Sequence, residues 1–151
     1  MKILMVCLGN ICRSPMAEGV LREKARVANK HIIVDSAGTS DFHIGEAPDK
    51  RAIACMKSHQ IDISGLQARQ LTSQDFIDFD VIYTMDKNNL KDAIKFSPDP
   101  ALNEKVKLFL DHQDEHHLKV VPDPYYGTDE NFEHVYELCV EASEQILAWI
   151  D

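Results

Sequence analysis

The sequence predicts an α/β fold with three layers: a four-stranded parallel sheet with helices on both faces. Two observations predict the layering. Short β-branched runs alternate with segments of helical periodicity, and strands so separated return by right-handed crossovers, which makes the sheet parallel. A third concerns size. At 151 residues, with 44% hydrophobic and 27% charged residues, the chain is expected to form one domain over 1–151, and a chain of that length buries roughly 70% of its unfolded surface.

Lys2 to Val6 reads as a short buried strand. Ser14-Pro15 reads as a helix start, with Ser14 as the cap and Pro15 in the first helical position. Apolar residues then recur at helical spacing from Met16 to Asn29. His31 to Asp35 is a second strand, and Ser36 to Ala47 a loop. Pro48 to Ser58 is a helix. Thr72 to Phe79 is a short helix capped by Thr72 or Ser73, with Asp75 in its first turn. Asp80 to Met85 is the third strand, and Asp86 to Phe96 a helix that Pro98 and Pro100 prevent from continuing. Lys105 to Leu110 is the fourth strand. A loop from Leu118 to Gly127 contains Pro122 and Pro124. Thr128 caps a long last helix, with Asp129 and Glu130 at its positive end. Its buried stripe is Phe132, Val135, Cys139, Ala142, Ile146 and Trp149.

Sixteen Lys plus Arg against twenty-five Asp plus Glu give a net charge of −9. Such a chain is a poor generic binder of nucleic acid or anionic membrane, so any phosphate must meet a local positive site. No apolar run approaches the ~18 residues of a span, and the apolar start reads as a strand rather than a signal peptide. Cys7, Cys12, Cys55 and Cys139 form no C-x-x-C pair, so reduced thiols in the cytoplasm are expected.

In parallel sheets ligands bind beyond the carboxyl ends of the strands, which puts the site from Cys7 onward. Val6-Cys7-Leu8-Gly9-Asn10-Ile11-Cys12-Arg13-Ser14-Pro15 joins a strand end to a helix start. Such a loop forms an anion-binding nest at the helix's positive end. Gly9 is expected to supply an unusual backbone angle, and Arg13 a planar fork for two phosphate oxygens. The same donors favour a thiolate at Cys7. An oxyanion loop carrying a thiolate is a phosphoryl-transfer nucleophile, and Ser14 can donate to its sulfur. The leaving oxygen needs a proton donor. Asp123, on the stiff Val121-Pro122-Asp123-Pro124-Tyr125-Tyr126-Gly127 loop, is the candidate, with two aromatics as the wall of a slot. A bare C-x5-R pattern is weak and Asp-Pro-Tyr-Tyr-Gly alone reads as a turn; each gains weight from the other.

Together these segments resemble the low-molecular-weight protein tyrosine phosphatases. The match to that family's phosphate loop is residue for residue at Cys7 to Pro15, and its acid loop matches at Asp123 to Gly127. Asp35-Ser36, Arg51-Ala52, Ala68-Arg69-Gln70 and Met85-Asp86 follow in order. The resemblance implies a Rossmann-like phosphotyrosine protein phosphatase fold and hydrolysis of phosphotyrosine and small aryl phosphates with no metal and no cofactor. It implies that Cys7 becomes a phosphocysteine, that Arg13 clamps the phosphate, and that Asp123 protonates the phenol oxygen and then deprotonates water. The phosphate loop comprises Leu8, Gly9, Asn10, Ile11, Cys12 and Ser14. Asn10 is bonded to Ser14 and Ser36, while Leu8, Ile11, Phe42, Tyr125 and Tyr126 line the slot. A reversible Cys7–Cys12 disulfide would guard Cys7. Phosphate and other oxyanions would bind in the site. Phosphotyrosine proteins, a tyrosine kinase among them, would be partners, and self-association would bury the slot-rim aromatics. A departure is Leu66-Gln67, where many members place a supporting His; that support is either absent here or replaced, with Gln67 the candidate replacement. Phe42, followed by His43, stands at a wall position often held by Trp.

Elsewhere, His112 and His116 have zinc-compatible spacing but read better as a solvated loop with His117. Cys55 and Cys139 read as inert core thiols. The absence of G-x-x-x-x-G-K-S/T and G-x-G-x-x-G disfavours nucleotide enzymes. Two rival functions remain at this level. An arsenate reductase of the same fold needs resolving cysteines, and a non-catalytic phosphotyrosine-binding module would not need Cys7, Arg13 and Asp123 together.

Overall fold

A computed structural model describes residues 1–112 and 119–150. His116 and His117 lie outside the described residues. Four strands form one parallel sheet in the order β2-β1-β3-β4: β1 Lys2–Cys7, β2 Ile33–Gly38, β3 Val81–Thr84 and β4 Val106–Leu108. The helices are α1 Arg13–Val27, α2 Lys50–Ser58, α3 Asp75–Asp78, α4 Lys87–Ile94 and α5 Asp129–Trp149.

The period of two along β1 divides the core. Ile3, Met5 and Cys7 join the α1 and α5 side chains on one face, whereas Leu4 and Val6 join Phe76 and Ala93 on the other. Apolar burial on both faces explains why β1 reads as an unbroken hydrophobic run. The chain leaves β1 toward β2 on one side and returns to β3 on the other. The carboxyl end of β1 is therefore the topological switch point, where a crevice opens. Cys7 stands at that end.

Two strands differ from the sequence reading. The second starts later and runs to Gly38, because Lys2↔Ile33 through Cys7↔Gly38 pair in register. Its end, Ser36-Ala37-Gly38, lacks β-branched residues, and pairing with β1 outweighs that local deficit. The fourth keeps only three residues, and the backbone turns into a 3₁₀ helix over Phe109–His112.

Caps differ too. Asp49 and Asp86 accept backbone N–H bonds at the starts of α2 and α4. Thr128 does open α5, in a reciprocal box with Asn131. Neither Thr72 nor Ser73 caps α3. The Asp75 carboxylate instead accepts from the Thr72 backbone and from Arg69. On α5, Phe132, Val135, Cys139, Ala142 and Ile146 are buried, but Trp149 is 54% exposed. Leu147 takes the inner position at that end, and Lys30 Nζ donates to the Leu147 and Ile150 carbonyls, closing the helix terminus. Cys139 is fully buried. Cys55, expected in the core, is only half-buried and donates to Glu133. Among the described residues, no helix is long and apolar enough to cross a membrane.

Candidate active site

β1 ends at Cys7 and α1 begins at Arg13, so five residues must turn the chain from the sheet into a helix. The positive backbone angle in this turn belongs to Asn10 (φ 59°), not to Gly9. Asparagine tolerates the left-handed region because its short side chain bonds locally. Here Asn10 Nδ2 donates to Ser14 Oγ at 2.7 Å and to Ser36 Oγ at 3.0 Å, and Oδ1 accepts from the Arg69 backbone at 3.0 Å. Gly9 is small for another reason: a Cβ there would lie 3.0 Å from the His43 ring. Gly38 is more constrained. A Cβ would lie 2.7 Å from the Leu8 carbonyl oxygen, because the end of β2 braces the loop backbone. Backbone cannot yield as a flexible side chain does. Gly38→Ala is expected to cost about 1–3 kcal/mol, as overpacking does, and to lower Tm by several degrees in thermal melts.

Ser14 does not cap α1. The residue before the helix is Cys12, and no side chain caps that end, in contrast to α2 and α4. The orphan first-turn N–H groups, and the partial positive charge they carry, are left to the cleft. Ser14 Oγ lies 3.0 Å from Cys7 Sγ, and the Asn10 backbone N–H donates to the same sulfur at 3.3 Å. Since Asn10 Nδ2 already donates to Ser14, the hydroxyl proton is free to point at sulfur.

Arg13 is buried. Its Nη1 donates to Asp86 Oδ2 at 2.6 Å and to the Val121 carbonyl at 3.1 Å, and Nη2 lies 3.6 Å from Asp123 Oδ2. Burial works against its charge, but Cys7, Asp86 and Asp123 outweigh that and hold the guanidinium protonated. Asp86 thus does two jobs, capping α4 through Asn89 and fixing Arg13. Asp86→Ala is expected to weaken competitive inhibition by inorganic phosphate about tenfold or more, since a charge-assisted bond contributes about 1.5–3 kcal/mol; inhibition kinetics on the variant check it.

Asp123 is partly exposed and accepts from the Tyr125 backbone at 3.1 Å. Arg51, on α2, positions this loop. It donates to the carbonyl oxygens of Tyr125 at 2.8 Å and Gly127 at 3.4 Å and lies over the Tyr125 and Phe132 rings. Tyr125 and Tyr126 meet edge to face at 4.8 Å between centroids.

These groups converge on a cleft of about 220 Å³ lined by Cys7, Leu8, Gly9, Ile11, Cys12, Arg13, Phe42, His43, Asp123, Tyr125 and Tyr126. Asn10, Ser14 and Ser36 do not line this cleft. Burial, reinforced by the nearby charge of Asp49, pushes the Cys12 thiol far up, so Cys12 stays protonated where Cys7 is surrounded by donors.

The missing support at Leu66-Gln67 is not supplied by Gln67, which is exposed. Buried Glu18 supplies it, accepting from Ser36 Oγ at 2.6 Å and pairing with Arg22, which also holds the Val34 carbonyl. Sequence reasoning missed Glu18, Arg22, the Asp86 role and the Arg51 brace. The available signal was a carboxylate within the apolar run of α1 with an arginine four residues on. Burial raises the Glu18 carboxyl, against the opposing pull of Ser36 and Arg22. A raised folded value means that the folded form holds the proton more tightly. The contribution to stability is full below the ordinary glutamate value of about 4.3 and is lost as pH rises through the folded one. Glu18→Gln is expected to flatten the pH dependence of stability across that window in denaturant titrations.

Residues 2–151 match the model of the family described as low molecular weight phosphotyrosine protein phosphatase. The chain is 43% identical over 148 residues to the low molecular weight phosphotyrosine protein phosphatase of Homo sapiens, covering 96% of this chain and 92% of that one. Among solved structures it resembles YfkJ from Bacillus subtilis (TM-score 0.91, 39% identity, covering 99% of this chain and 94% of that one). It also resembles Wzb of Vibrio vulnificus in complex with benzylphosphonate (TM-score 0.83, 36% identity, 98% and 95% coverage). With the family model matched over residues 2–151 and relatives similar over nearly their whole length, the chain belongs to the low molecular weight phosphotyrosine protein phosphatase family.

Proposed function

We propose that the chain hydrolyses phosphotyrosine and small aryl phosphates by double displacement on Cys7. The observation that carries this reading is the convergence of Cys7, Arg13 and Asp123 on one cleft at the uncapped start of α1. The Cys7 thiolate attacks phosphorus in line, the P–S bond forms as the P–O bond to the phenol breaks, and Asp123 gives its proton to the departing oxygen. The Asp123 carboxylate then takes a proton from water as that oxygen attacks phosphorus. The P–S bond breaks, and Ser14 and the Asn10 N–H receive the returning sulfur anion. Arg13 and the first-turn amides of α1 hold the phosphoryl oxygens, whose charge is shared over the transition state.

Shape supports an aryl ester. Leu8, Ile11, Phe42, Tyr125 and Tyr126 give the slot apolar walls, and a relative is in complex with benzylphosphonate, whose ring is one methylene from phosphorus as an aryl phosphate's ring is one oxygen from it. Phe42 and Tyr126 are 72% and 95% exposed and offer a rim to a phosphotyrosine-bearing protein, a tyrosine kinase among the candidates, or to a second copy of the chain. Cys12 in the same cleft supports protective pairing with Cys7 under oxidation, and four free thiols suit a reducing cytoplasm. The arsenate-reductase alternative lacks support, because neither Cys55 nor Cys139 lines the cleft.

Assay with a chromogenic aryl phosphate and with matched phosphotyrosine and phosphoserine peptides tests the proposal. Turnover of the first two, with the serine ester much slower, is expected; equal rates on both peptides would contradict it. Because Asp123 must carry a proton while Cys7 is ionised, kcat/KM is expected to depend on pH through two opposing ionisations, rising and then falling. A flat profile would rule out this division of labour.

A further inference from the structure

Cys55, expected to be inert, is one of three donors that meet at the surface between α2 and α5. Cys55 and His59 lie one helical turn apart, His59 at the position that ends α2, and Glu133 faces them from α5. Their donor atoms, one from each residue, all lie within 4.8 Å of one another. His59 Nε2 is 2.7 Å from Glu133 Oε1, and Cys55 Sγ is 3.4 Å from Glu133 Oε2. The His59 ring is stacked on Tyr136 at 3.6 Å, with 7° between planes, so Nε2 is aimed rather than free to rotate. The side chains of His59 and Glu133 are 30% and 43% exposed, and Cys55 is half-buried, so solvent can reach the group.

We propose that Cys55, His59 and Glu133 form a binding site for Zn²⁺, separate from the phosphatase reaction. A thiolate, an imidazole and a carboxylate are the donor types of tetrahedral zinc, with bonds of about 2.0–2.3 Å. At those lengths neighbouring donors stand roughly 3.3–3.7 Å apart. Cys55 meets Glu133 Oε2 and His59 meets Oε1, so the carboxylate turns to offer one oxygen, and with all donors within 4.8 Å of one another no pair has to close by more than about 1.5 Å. The thiolate selects a borderline or soft ion over Mg²⁺ or Ca²⁺, which take oxygen donors. On binding, zinc displaces the thiol proton to solvent, and the metal–sulfur bond replaces the bond from the thiol to Glu133. A fourth position is open to water or to Asp129, one turn before Glu133 on α5, which with Cys55 and Glu133 lines a cleft of about 460 Å³, while His59 lines the neighbouring one. Two cations, Lys50 and Arg51, also line the Cys55 cleft. Arg51 is neutralised by Asp49 at 3.0 Å, which leaves Lys50 as the opposing charge. The bound ion would pin the end of α2 to α5, one turn beyond the Arg51 brace on the acid loop.

The test uses a Cys7→Ser, Cys12→Ser background, so that the thiols of the phosphatase cleft do not bind metal. Calorimetric titration with Zn²⁺ is expected to give one ion per chain, and Co²⁺ to give a thiolate-to-metal charge-transfer band. A hundredfold excess of Zn²⁺ over Kd is expected to raise Tm by roughly 5–10 °C. Adding Cys55→Ser should abolish the band, and His59→Gln or Glu133→Gln should weaken Zn²⁺ at least about tenfold. Glu133→Gln is nearly isosteric at a half-exposed position, so it keeps the fold for comparison. Absence of the cobalt band, a band that survives Cys55→Ser, or Zn²⁺ affinity unchanged by Glu133→Gln would overturn the proposal. None of these readouts depends on phosphatase turnover.

Discussion

Replacing Cys7 with serine is expected to abolish turnover, with a loss of ~10⁴-fold or more in kcat, the scale seen when a catalytic nucleophile is removed. The donors around position 7 explain why so small a change matters. The Ser14 hydroxyl at 3.0 Å and the Asn10 N–H at 3.3 Å are placed to stabilise the sulfur anion that the proposed attack requires. A serine hydroxyl at the same place is a far weaker acid, and the groups bonded at that position, the Ser14 hydroxyl and the Asn10 N–H, are donors rather than bases. The phosphate-holding groups are unchanged by the substitution, since Arg13 keeps Asp86 and the Val121 carbonyl. Cys7→Ser is therefore expected to bind inorganic phosphate within a few-fold of the parent while turning over no aryl phosphate. Isothermal titration alongside a steady-state assay separates loss of chemistry from loss of fold. Parent-like hydrolysis by the serine variant would remove Cys7 from the mechanism.

The second large effect is expected at Asp123. Asn in its place keeps the size and the contact to the Tyr125 N–H but has no proton to give at mildly acidic pH. General acid catalysis contributes typically ~10²–10⁴-fold, and the contribution grows with the basicity of the leaving oxygen. Asp123→Asn should thus slow an alkyl-substituted phenyl phosphate far more than a nitrophenyl ester, whose phenolate departs without help. A plot of log kcat/KM against leaving-group acidity is expected to steepen in the variant. An identical slope in parent and variant would show that Asp123 does not protonate the leaving group.

The two loops that meet at the candidate site were legible because each is a contiguous run of residues. Cys7 to Pro15 sits where an apolar strand run gives way to a helix start, and the donors needed for an oxyanion lie within those residues. Asp123 sits in a proline-bounded loop whose conformation is fixed by the same residues that name it. The supporting contacts were hidden because they are long-range. Asp86 approaches Arg13 from the end of β3 across 73 positions in sequence, and Arg51 reaches the acid loop across 74. Neither distance leaves a trace in periodicity. Ser14 was misread as a cap because Ser-Pro is a helix-start signature; Asn10 and Cys7 compete for its hydroxyl and win. Gly9 was credited with the strained angle because glycine carries the lowest penalty there, yet Asn10 takes it with three hydrogen bonds as compensation. Trp149 fits the spacing of the α5 stripe, but spacing fixes only the angle around the helix, and at its last turn that angle no longer brings burial. Cys55 shows the reverse: its apolar helix face was readable, and the α5 carboxylate that meets it was not.

The central claim is that sulfur at Cys7 carries the phosphoryl group between two displacements. Rapid acid quench during turnover of nitrophenyl phosphate, whose phenolate departs without a proton, in an Asp123→Ala variant that retards the second step, followed by mass spectrometry of the Cys7 peptide and ³¹P NMR, tests it directly. The account predicts a +PO₃H adduct on Cys7 with a thiophosphate resonance, formed in a burst equal to the enzyme concentration. Turnover with no phosphorus on Cys7 at any quench time would contradict it.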